Sequence, residues 1–184
     1  MRKTLVAAAF LSAIASSAAA DPETEERARF CTVCHRPGYS VSYVPTLDGQ
    51  TYEYLVNQLK AFKEKRRPSD GHQRYWGERS EKDVQAMAAY FAARARIRER
   101  FELDAGKVAL GQSRAQALMC ATCHQPDYSG RETAARLAGL QPQYAAAQIA
   151  AFASGQRPHP RIDRASGLSR EDAEALAQYF AQIP

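Results

Sequence analysis

The segment Cys31-Thr32-Val33-Cys34-His35 decides the fold, and it recurs 89 residues later as Cys120-Ala121-Thr122-Cys123-His124. Two cysteines three positions apart, followed directly by a histidine, form the pattern of c-type heme attachment. On one helical turn both thiols can add to the vinyl groups of a heme, while the imidazole ligates the iron. The two segments therefore predict two covalently bound heme c groups, attached at Cys31, Cys34, Cys120 and Cys123, with His35 and His124 as proximal ligands.

Three other uses of such cysteine pairs fit the sequence less well. A zinc site needs four ligands, and a histidine placed directly after the second cysteine is poorly positioned to complete it. A thioredoxin-like redox pair needs a strand and helix framework, whereas the flanking residues have a helical pattern. A disulfide is compatible with an oxidising compartment, but at this spacing it would constrain almost no chain.

The repeat extends far beyond the two motifs and indicates two homologous lobes. The matched positions are Pro37 with Pro126, Tyr39-Ser40 with Tyr128-Ser129, Leu47 and Gly49 with Leu137 and Gly139, Tyr54, Gln58, Phe62 and Arg67-Pro68 with Tyr144, Gln148, Phe152 and Arg157-Pro158, and Ser80, Asp83 and Tyr90-Phe91 with Ser169, Asp172 and Tyr179-Phe180. We therefore divide the chain into an N-terminal segment, 1–20, lobe one, 21–97, and lobe two, 98–184.

Each lobe is predicted to be helical, and the fold class all-α. Apolar residues at helical spacing predict helices over 52–64 and 142–153, where we expect the aromatic and leucine side chains to pack in the core. Ser80 and Ser169, each followed by acidic residues, are candidate N-caps for helices over 80–93 and 169–182. The remaining predicted segments are polar loops at 65–79 and 155–168 and a charged, solvated connection at 94–106. Lobes of about 80 residues have marginal cores, which a heme would complete.

The N-terminal segment has the order of a secretory signal peptide. Arg2 and Lys3 precede an apolar stretch, and three small residues, Ala18 to Ala20, precede Asp21, where we expect cleavage. The alternative, a membrane anchor, needs about 20 predominantly apolar residues, and this stretch is shorter and interrupted by serines. We therefore expect a periplasmic protein with no transmembrane segment after signal removal, although peripheral membrane association stays open.

The net charge does not identify a partner. The formal charge of +5 falls to +3 when Arg2 and Lys3 are removed with the signal, and the propionates of two hemes would bring it near neutrality. Basic residues are not interleaved with aromatic ones in the way that nucleic-acid binding requires, so we predict no nucleic-acid partner.

At this level of detail the mature chain resembles the diheme cytochrome c4 family, in which two class I cytochrome c lobes are fused. The resemblance rests on Pro45-Thr46-Leu47-Asp48-Gly49-Gln50, on Leu137-Ala138-Gly139, and on Leu168-Ser169-Arg170-Glu171-Asp172. It implies two helical lobes packed as a pair and an electron shuttle that serves redox partner proteins. The chain departs from the family pattern at Ala135, where a proline is expected, and at Arg36 and Gln125, where glycine usually follows the heme motif.

The largest departure concerns the second axial ligand, which in this family is a methionine seven residues before the leucine of the final helix start. Counting back in lobe one leads to His72, and in lobe two it leads to Arg161, with His159 two residues earlier. The resemblance thus implies His72 as a distal ligand and makes His159 the nearest candidate in lobe two. The alternatives are a solvent-exposed His72 and, in lobe two, a five-coordinate heme or one capped by Lys107 or water.

The three methionines offer no simple replacement. Met1 belongs to the signal, Met119 adjoins Cys120 on the attachment side, and Met87 falls at a core position of the last helix of lobe one. Since methionine ligation raises the potential of a heme, two bis-histidine hemes predict a low-potential electron carrier rather than an enzyme. An enzyme or gas-binding protein that uses an open heme in lobe two, and an electron-transfer subunit of a periplasmic dehydrogenase or reductase, remain alternatives.

Overall fold

The computed structural model describes residues 21–36 and 43–184, so the predicted signal peptide and the repeated Tyr39-Ser40 lie outside the described residues. Lobe one contains α1 (Pro22–Thr32), α2 (Tyr52–Lys63), α3 (Asp70–Gly77) and α4 (Glu81–Ala92). Lobe two contains α5 (Ala105–Ala117), α6 (Ala121–His124), α7 (Pro142–Ala153), a 3₁₀ turn (Arg164–Ser166) and α8 (Arg170–Gln182). The described residues form no strand beyond one isolated bridge, Arg131 with Ala134, and the all-α fold class is confirmed.

The predicted helix starts of α4 and α8 are confirmed. The Ser80 hydroxyl accepts a hydrogen bond from the backbone N–H of Asp83, and the Asp83 carboxylate accepts one from the backbone N–H of Ser80. Ser169 and Asp172 form the same capping box in lobe two. Each box satisfies backbone donors that the helix itself leaves unpaired, so both final helices begin at equivalent positions of the repeat.

The loops that precede these helices are less uniform than predicted. Lobe one forms an eight-residue helix, α3, within the segment 65–79, which the sequence predicts as a polar loop. The corresponding segment of lobe two, 155–168, contains only the 3₁₀ turn. The two lobes therefore differ in secondary structure in the segment that carries the candidate distal histidines.

Each lobe has its own small apolar core. In lobe one Leu55, Phe62, Val84 and Phe91 pack with Met87, whose side chain is only 3% exposed, which confirms its predicted core position. The lobe-two core is formed by alanine, branched aliphatic and aromatic side chains, including Ala115, Tyr128, Ile149, Leu176 and Phe180. Half-buried Cys31 and Cys120 pack against the respective cores, so each heme motif borders the apolar centre of its lobe.

The connection between the lobes is largely exposed, as the prediction for 94–106 has it, but two of its arginines also make defined contacts. The Arg94 guanidinium is 2.9 Å from the buried Asp48 carboxylate, and the Arg96 guanidinium donates a 3.0 Å hydrogen bond to the carbonyl of Ala138 in lobe two. These contacts fix the chain between α4 and α5 across the two lobes. Within the described residues, no helix combines the length and apolar character needed to cross a bilayer.

Candidate heme sites

The two predicted proximal histidines have the same local environment. The Nδ1 atom of His35 is 2.8 Å from the carbonyl oxygen of Pro45, and that of His124 is 2.7 Å from the carbonyl oxygen of Ala135. A carbonyl can only accept, so Nδ1 carries the proton and Nε2 keeps its lone pair. A hydrogen bond of this kind orients a metal-ligating imidazole and raises its basicity. The Ala135 carbonyl performs this role although the family pattern has a proline at that position.

Each heme motif presents one inward and one outward thiol. Cys31 and Cys120 are half-buried, and burial raises the pKa of both thiols to about 11. Cys34 and Cys123 are exposed. In both lobes the backbone N–H of the histidine bonds to the carbonyl of the first cysteine, as expected for a single helical turn. The four cysteines are free in the structure, and each pair is local to one lobe.

His72 lies in the first turn of α3, and the structure brings it opposite His35. Its Nδ1 atom is 2.8 Å from the Ser69 hydroxyl, which can accept the Nδ1 proton. The ring lies against Phe62, with centroids 4.6 Å apart and planes inclined by 19°. The side chain is half-buried rather than freely solvated. Its neighbour Trp76 is buried in the lobe-one core, while Tyr75 stacks with the exposed Phe30.

His159 reaches the corresponding place in lobe two from an irregular loop. Its Nδ1 atom accepts hydrogen bonds of 3.1 Å from the backbone N–H groups of Arg161 and Ile162. The ring lies against Phe152, with centroids 4.8 Å apart. Arg161, the position found by counting from the final helix, is exposed. The alternative ligand Lys107 lies 2.7 Å from the Glu174 carboxylate, so its ammonium group has another partner.

The ring-to-ring distances provide a test of whether these histidines fit a heme. The centroids of His35 and His72 are 5.8 Å apart, and those of His124 and His159 are 6.2 Å apart. Two coordinate bonds of about 2 Å, plus the distances from the nitrogens to the ring centres, separate two imidazole centroids on opposite sides of a metal by roughly 6 Å. Both pairs therefore have the separation that one iron atom between them requires.

The number of possible protein ligands at each site also fits an iron that is already ligated by the four nitrogens of a porphyrin. Among residues 21–36 and 43–184, no three His, Cys, Asp or Glu side chains are grouped to hold a metal ion. Each candidate site is thus a two-ligand set, which suits an iron already held in the plane of a porphyrin. Burial lowers the pKa of all four histidines, that of His159 to about 4. Neutral imidazoles are the form that binds metals.

The two methionines of the described residues have different surroundings. Met87 is enclosed in the lobe-one core, and Met119 is 51% exposed, with a backbone φ of 54°. Met119 follows Leu118, the C-cap of α5, and directly precedes the second heme motif. In lobe one, by contrast, α1 continues through Cys31 to Thr32. The described residues therefore contain two methionines, one in the core and one on the attachment side.

The surface between the lobes is rich in arginine. Arg136 is only 4% exposed and donates to the carbonyl oxygens of Asp48 and Gly49, across the interface. Burial lowers its pKa to about 10. Arg67 and Arg157 are close in sequence to the distal histidines. Each donates a hydrogen bond to a tyrosine hydroxyl of the opposite lobe. Among the described residues, none of these three guanidinium groups has a carboxylate within ion-pair distance, and their partners at the interface are neutral oxygen acceptors.

Comparison with known proteins agrees with this architecture. No protein-family model matches the chain. Cytochrome c4 of Azotobacter vinelandii is 29% identical over 96% of the chain and 95% of its own length. The crystal structure of reduced cytochrome c4 from Pseudomonas stutzeri superimposes with a TM-score of 0.77 at 26% identity, covering 90% of this chain and all of that one. The chain is thus similar to diheme cytochrome c4 proteins over nearly its whole length, in sequence and in fold. It is accordingly a diheme c-type electron carrier with two covalently bound hemes.

A third relative concerns an electron partner. The thiosulfate dehydrogenase electron acceptor of Stutzerimonas stutzeri is 36% identical over 77 residues, which are 40% of this chain and 36% of that protein. In each lobe of this chain a second histidine ring lies within about 6 Å of the motif histidine. The sequence identifies those histidines, but it does not reveal the phenylalanines and interface arginines packed beside them. The only indication of these neighbours in the sequence is that Phe62 and Arg67-Pro68 recur in the repeat as Phe152 and Arg157-Pro158.

Proposed function

We propose that each heme is held between two histidines, His35 with His72 and His124 with His159, and that the protein is a low-potential electron carrier. The observation that carries this proposal is the facing of two imidazole rings at 5.8 and 6.2 Å in the two lobes. The heme iron supplies a one-electron ferric/ferrous couple. Cys31, Cys34, Cys120 and Cys123 are the proposed attachment residues.

The protein side chains act on that couple by ligation and solvation. Hydrogen bonds from Nδ1 of His35 and His124 to carbonyl oxygens raise the basicity of the proximal imidazoles. A second imidazole in place of a thioether removes the ligand that raises the potential of methionine-ligated cytochromes. If these four histidines hold both hemes, no ligation position would remain for a substrate, and the protein would serve to exchange electrons with partner proteins.

The ring orientations make this proposal testable by electron paramagnetic resonance of the oxidised holoprotein. The planes of His35 and His72 are inclined by 63°, whereas those of His124 and His159 are inclined by only 7°. Crossed imidazole planes give a low-spin ferric signal with one large g value, and parallel planes give an ordinary rhombic signal. We expect one signal of each kind. A sulfur-to-iron band in the near infrared, or midpoint potentials in the range of methionine-ligated cytochromes, would contradict the proposal.

We further propose that the protein acts in the periplasm and exchanges electrons with redox enzymes there. The signal-like order of Met1 to Ala20 supports export. The name of the Stutzerimonas relative supports one class of donor, a dehydrogenase that oxidises an inorganic sulfur compound. Stopped-flow mixing of the oxidised protein with such a dehydrogenase and its substrate tests this role. Reduction of both hemes is expected, and no reduction would exclude that donor class.

One observation favours a second activity, the binding of a small ligand such as carbon monoxide at the lobe-two heme. Two backbone N–H groups point at Nδ1 of His159, so the proton of the neutral ring is on Nε2, the nitrogen that would ligate iron. His72 has no such conflict, because the Ser69 hydroxyl can accept its Nδ1 proton. Coordination by His159 must break these contacts or displace a proton, which makes it the more readily replaced ligand.

A further inference from the structure

Arg67 and Arg157 are joined in a closed ring of hydrogen bonds between the lobes. The Oε1 atom of Gln58 accepts from Arg67 at 3.0 Å and from Arg157 at 2.6 Å. The Oε1 atom of Gln148 accepts from the same two arginines, at 3.1 and 2.7 Å. Each glutamine therefore bridges an arginine of its own lobe and one of the opposite lobe, and the arrangement has an approximate two-fold symmetry.

Two tyrosine hydroxyls complete the crossed contacts. Arg67 of lobe one donates to the Tyr144 hydroxyl of lobe two at 3.1 Å, and Arg157 of lobe two donates to the Tyr54 hydroxyl of lobe one at 3.1 Å. The sequence predicts that these tyrosines pack in the lobe cores, but their hydroxyls lie at the interface. The planar guanidinium group suits this role, since it offers several donors in fixed directions.

The same arginines contact the distal side of their own lobe. The Arg67 guanidinium carbon is 4.7 Å from the centre of the Phe62 ring, and Phe62 lies against His72. The Arg157 guanidinium carbon is also 4.7 Å from the Phe152 ring, which lies against His159. Each lobe thus contains guanidinium, phenylalanine and distal imidazole in the same order, with the two rings inclined by 19° in lobe one and by 42° in lobe two. The contacts are cation–π and ring packing, both of which depend on orientation.

We propose that Arg67 and Arg157 are positioning residues that connect the distal histidine of each lobe to the opposite lobe. Docking of the lobes orients each guanidinium through the ring of glutamines and tyrosines, and the guanidinium holds the phenylalanine against the imidazole. The ligand geometry of one heme therefore depends on side chains of the other lobe. This inference rests on the proposed bis-histidine ligation, because its readout is the geometry of those ligands.

The sharpest test removes single hydroxyl groups, which leaves the apolar packing intact. Tyr54→Phe, in lobe one, should shift the electron paramagnetic resonance signal of the lobe-two heme, and Tyr144→Phe should shift that of the lobe-one heme. Tyr90→Phe is the matched control, since Tyr90 receives a hydrogen bond from Arg94 of its own lobe, and both signals should stay as in the wild type. If each substitution changes only the heme of its own lobe, the inference is wrong.

A second pair of variants separates positioning from charge. Arg67→Lys keeps the positive charge but loses the fork of donors and the planar contact with Phe62, so we expect shifted signals from both hemes. Arg66→Met, at an exposed neighbour paired with Glu64 at 2.5 Å, should leave both unchanged. Wild-type signals in Arg67→Lys would overturn the inference. Absence of bis-imidazole signals from the unmodified protein would instead overturn the proposed function, so the two failures are distinguishable.

Discussion

The two lobes share their proximal sides and differ on their distal sides. In both, a carbonyl oxygen ten or eleven residues after the motif histidine receives its Nδ1 proton. The distal histidine of lobe one lies in a helix beside a serine hydroxyl, whereas that of lobe two lies in a loop beside backbone N–H groups. A repeated fold can therefore keep the surroundings of the motif histidine constant while each lobe supplies its proposed second ligand from a different backbone structure, a helix in one lobe and a loop in the other.

The repeat itself explains this difference. Arg67-Pro68 matches Arg157-Pro158, so in this register His159 corresponds to Ser69, and Ile162 corresponds to His72. Ser69 precedes α3, while His159 stands between two prolines, which disfavour a helix there. The histidine of lobe two is thus three positions earlier, about one helical turn. A loop in place of α3 brings its ring to nearly the same distance from the proximal imidazole.

The largest expected effects come from replacing the distal histidines one at a time. His72→Ala and His159→Ala should each convert one heme of the holoprotein to the high-spin state, because a side-chain ligand is lost. In the wild type, carbon monoxide should bind the ferrous lobe-two heme faster, and His159→Ala should accelerate that phase alone. Absorption spectra and flash photolysis measure both. Equal carbon monoxide binding by the two wild-type hemes would remove the proposed asymmetry.

The packing of α5, the first helix of lobe two, against α8 predicts the next largest effect. A Cβ atom at Gly111 in α5 would lie 2.0 Å from the carbonyl oxygen of Ala175 in α8, so the helices must separate in Gly111→Ala. Overpacking of this kind costs about 1–3 kcal/mol. Gly77→Ala is the control in lobe one, where a Cβ atom meets nothing within 4 Å. When the holoprotein is unfolded with guanidinium chloride, only Gly111→Ala should show a destabilised lobe two.

The features of the fold and of the candidate sites that could be predicted from the sequence are those formed by residues close together in the chain. The heme motifs and the Ser80 and Ser169 caps were predictable because their partners lie within a few residues. Helix α3 was missed because Gly71 and the polar residues around it are typical of a loop. The crossed contacts of Arg67 and Arg157 join residues 77 to 103 positions apart. Such contacts depend on how the lobes dock, which no local pattern encodes.

The capping boxes of α4 and α8 are alike in the two lobes, so the loss of either box should destabilise the protein equally. Hydrogen bonds from Ser80 and the Arg27 guanidinium lower the pKa of Asp83 to about 2, and contacts with Ser169 and Arg114 lower the pKa of Asp172. An unfolded aspartate has a pKa of about 3.9. The stabilisation from Asp83 is therefore present above about pH 4 and is lost as the pH falls towards 2.

Removing the caps tests this equality. Ser80→Ala and Ser169→Ala should each lower the free energy of unfolding by about 1 kcal/mol at neutral pH, and by less in acid, where the aspartates of the capping boxes are protonated. Thermal unfolding of the holoprotein at several pH values measures the effect. A much larger loss in one lobe would indicate that the two capping boxes are not equivalent despite their matching hydrogen bonds.

The smallest effect should come from the one side-chain partner that distinguishes the distal histidines. Ser69→Ala removes the hydroxyl that accepts the Nδ1 proton of His72, and a less basic imidazole stabilises ferric iron less. The lobe-one midpoint potential should therefore rise, by about 20 mV for about 0.5 kcal/mol, while the lobe-two potential stays unchanged. Ser166→Ala is the control, since its hydroxyl bonds to the Asp163 carbonyl in the lobe-two loop. A rise confined to lobe two would mean that the serine does not act through His72.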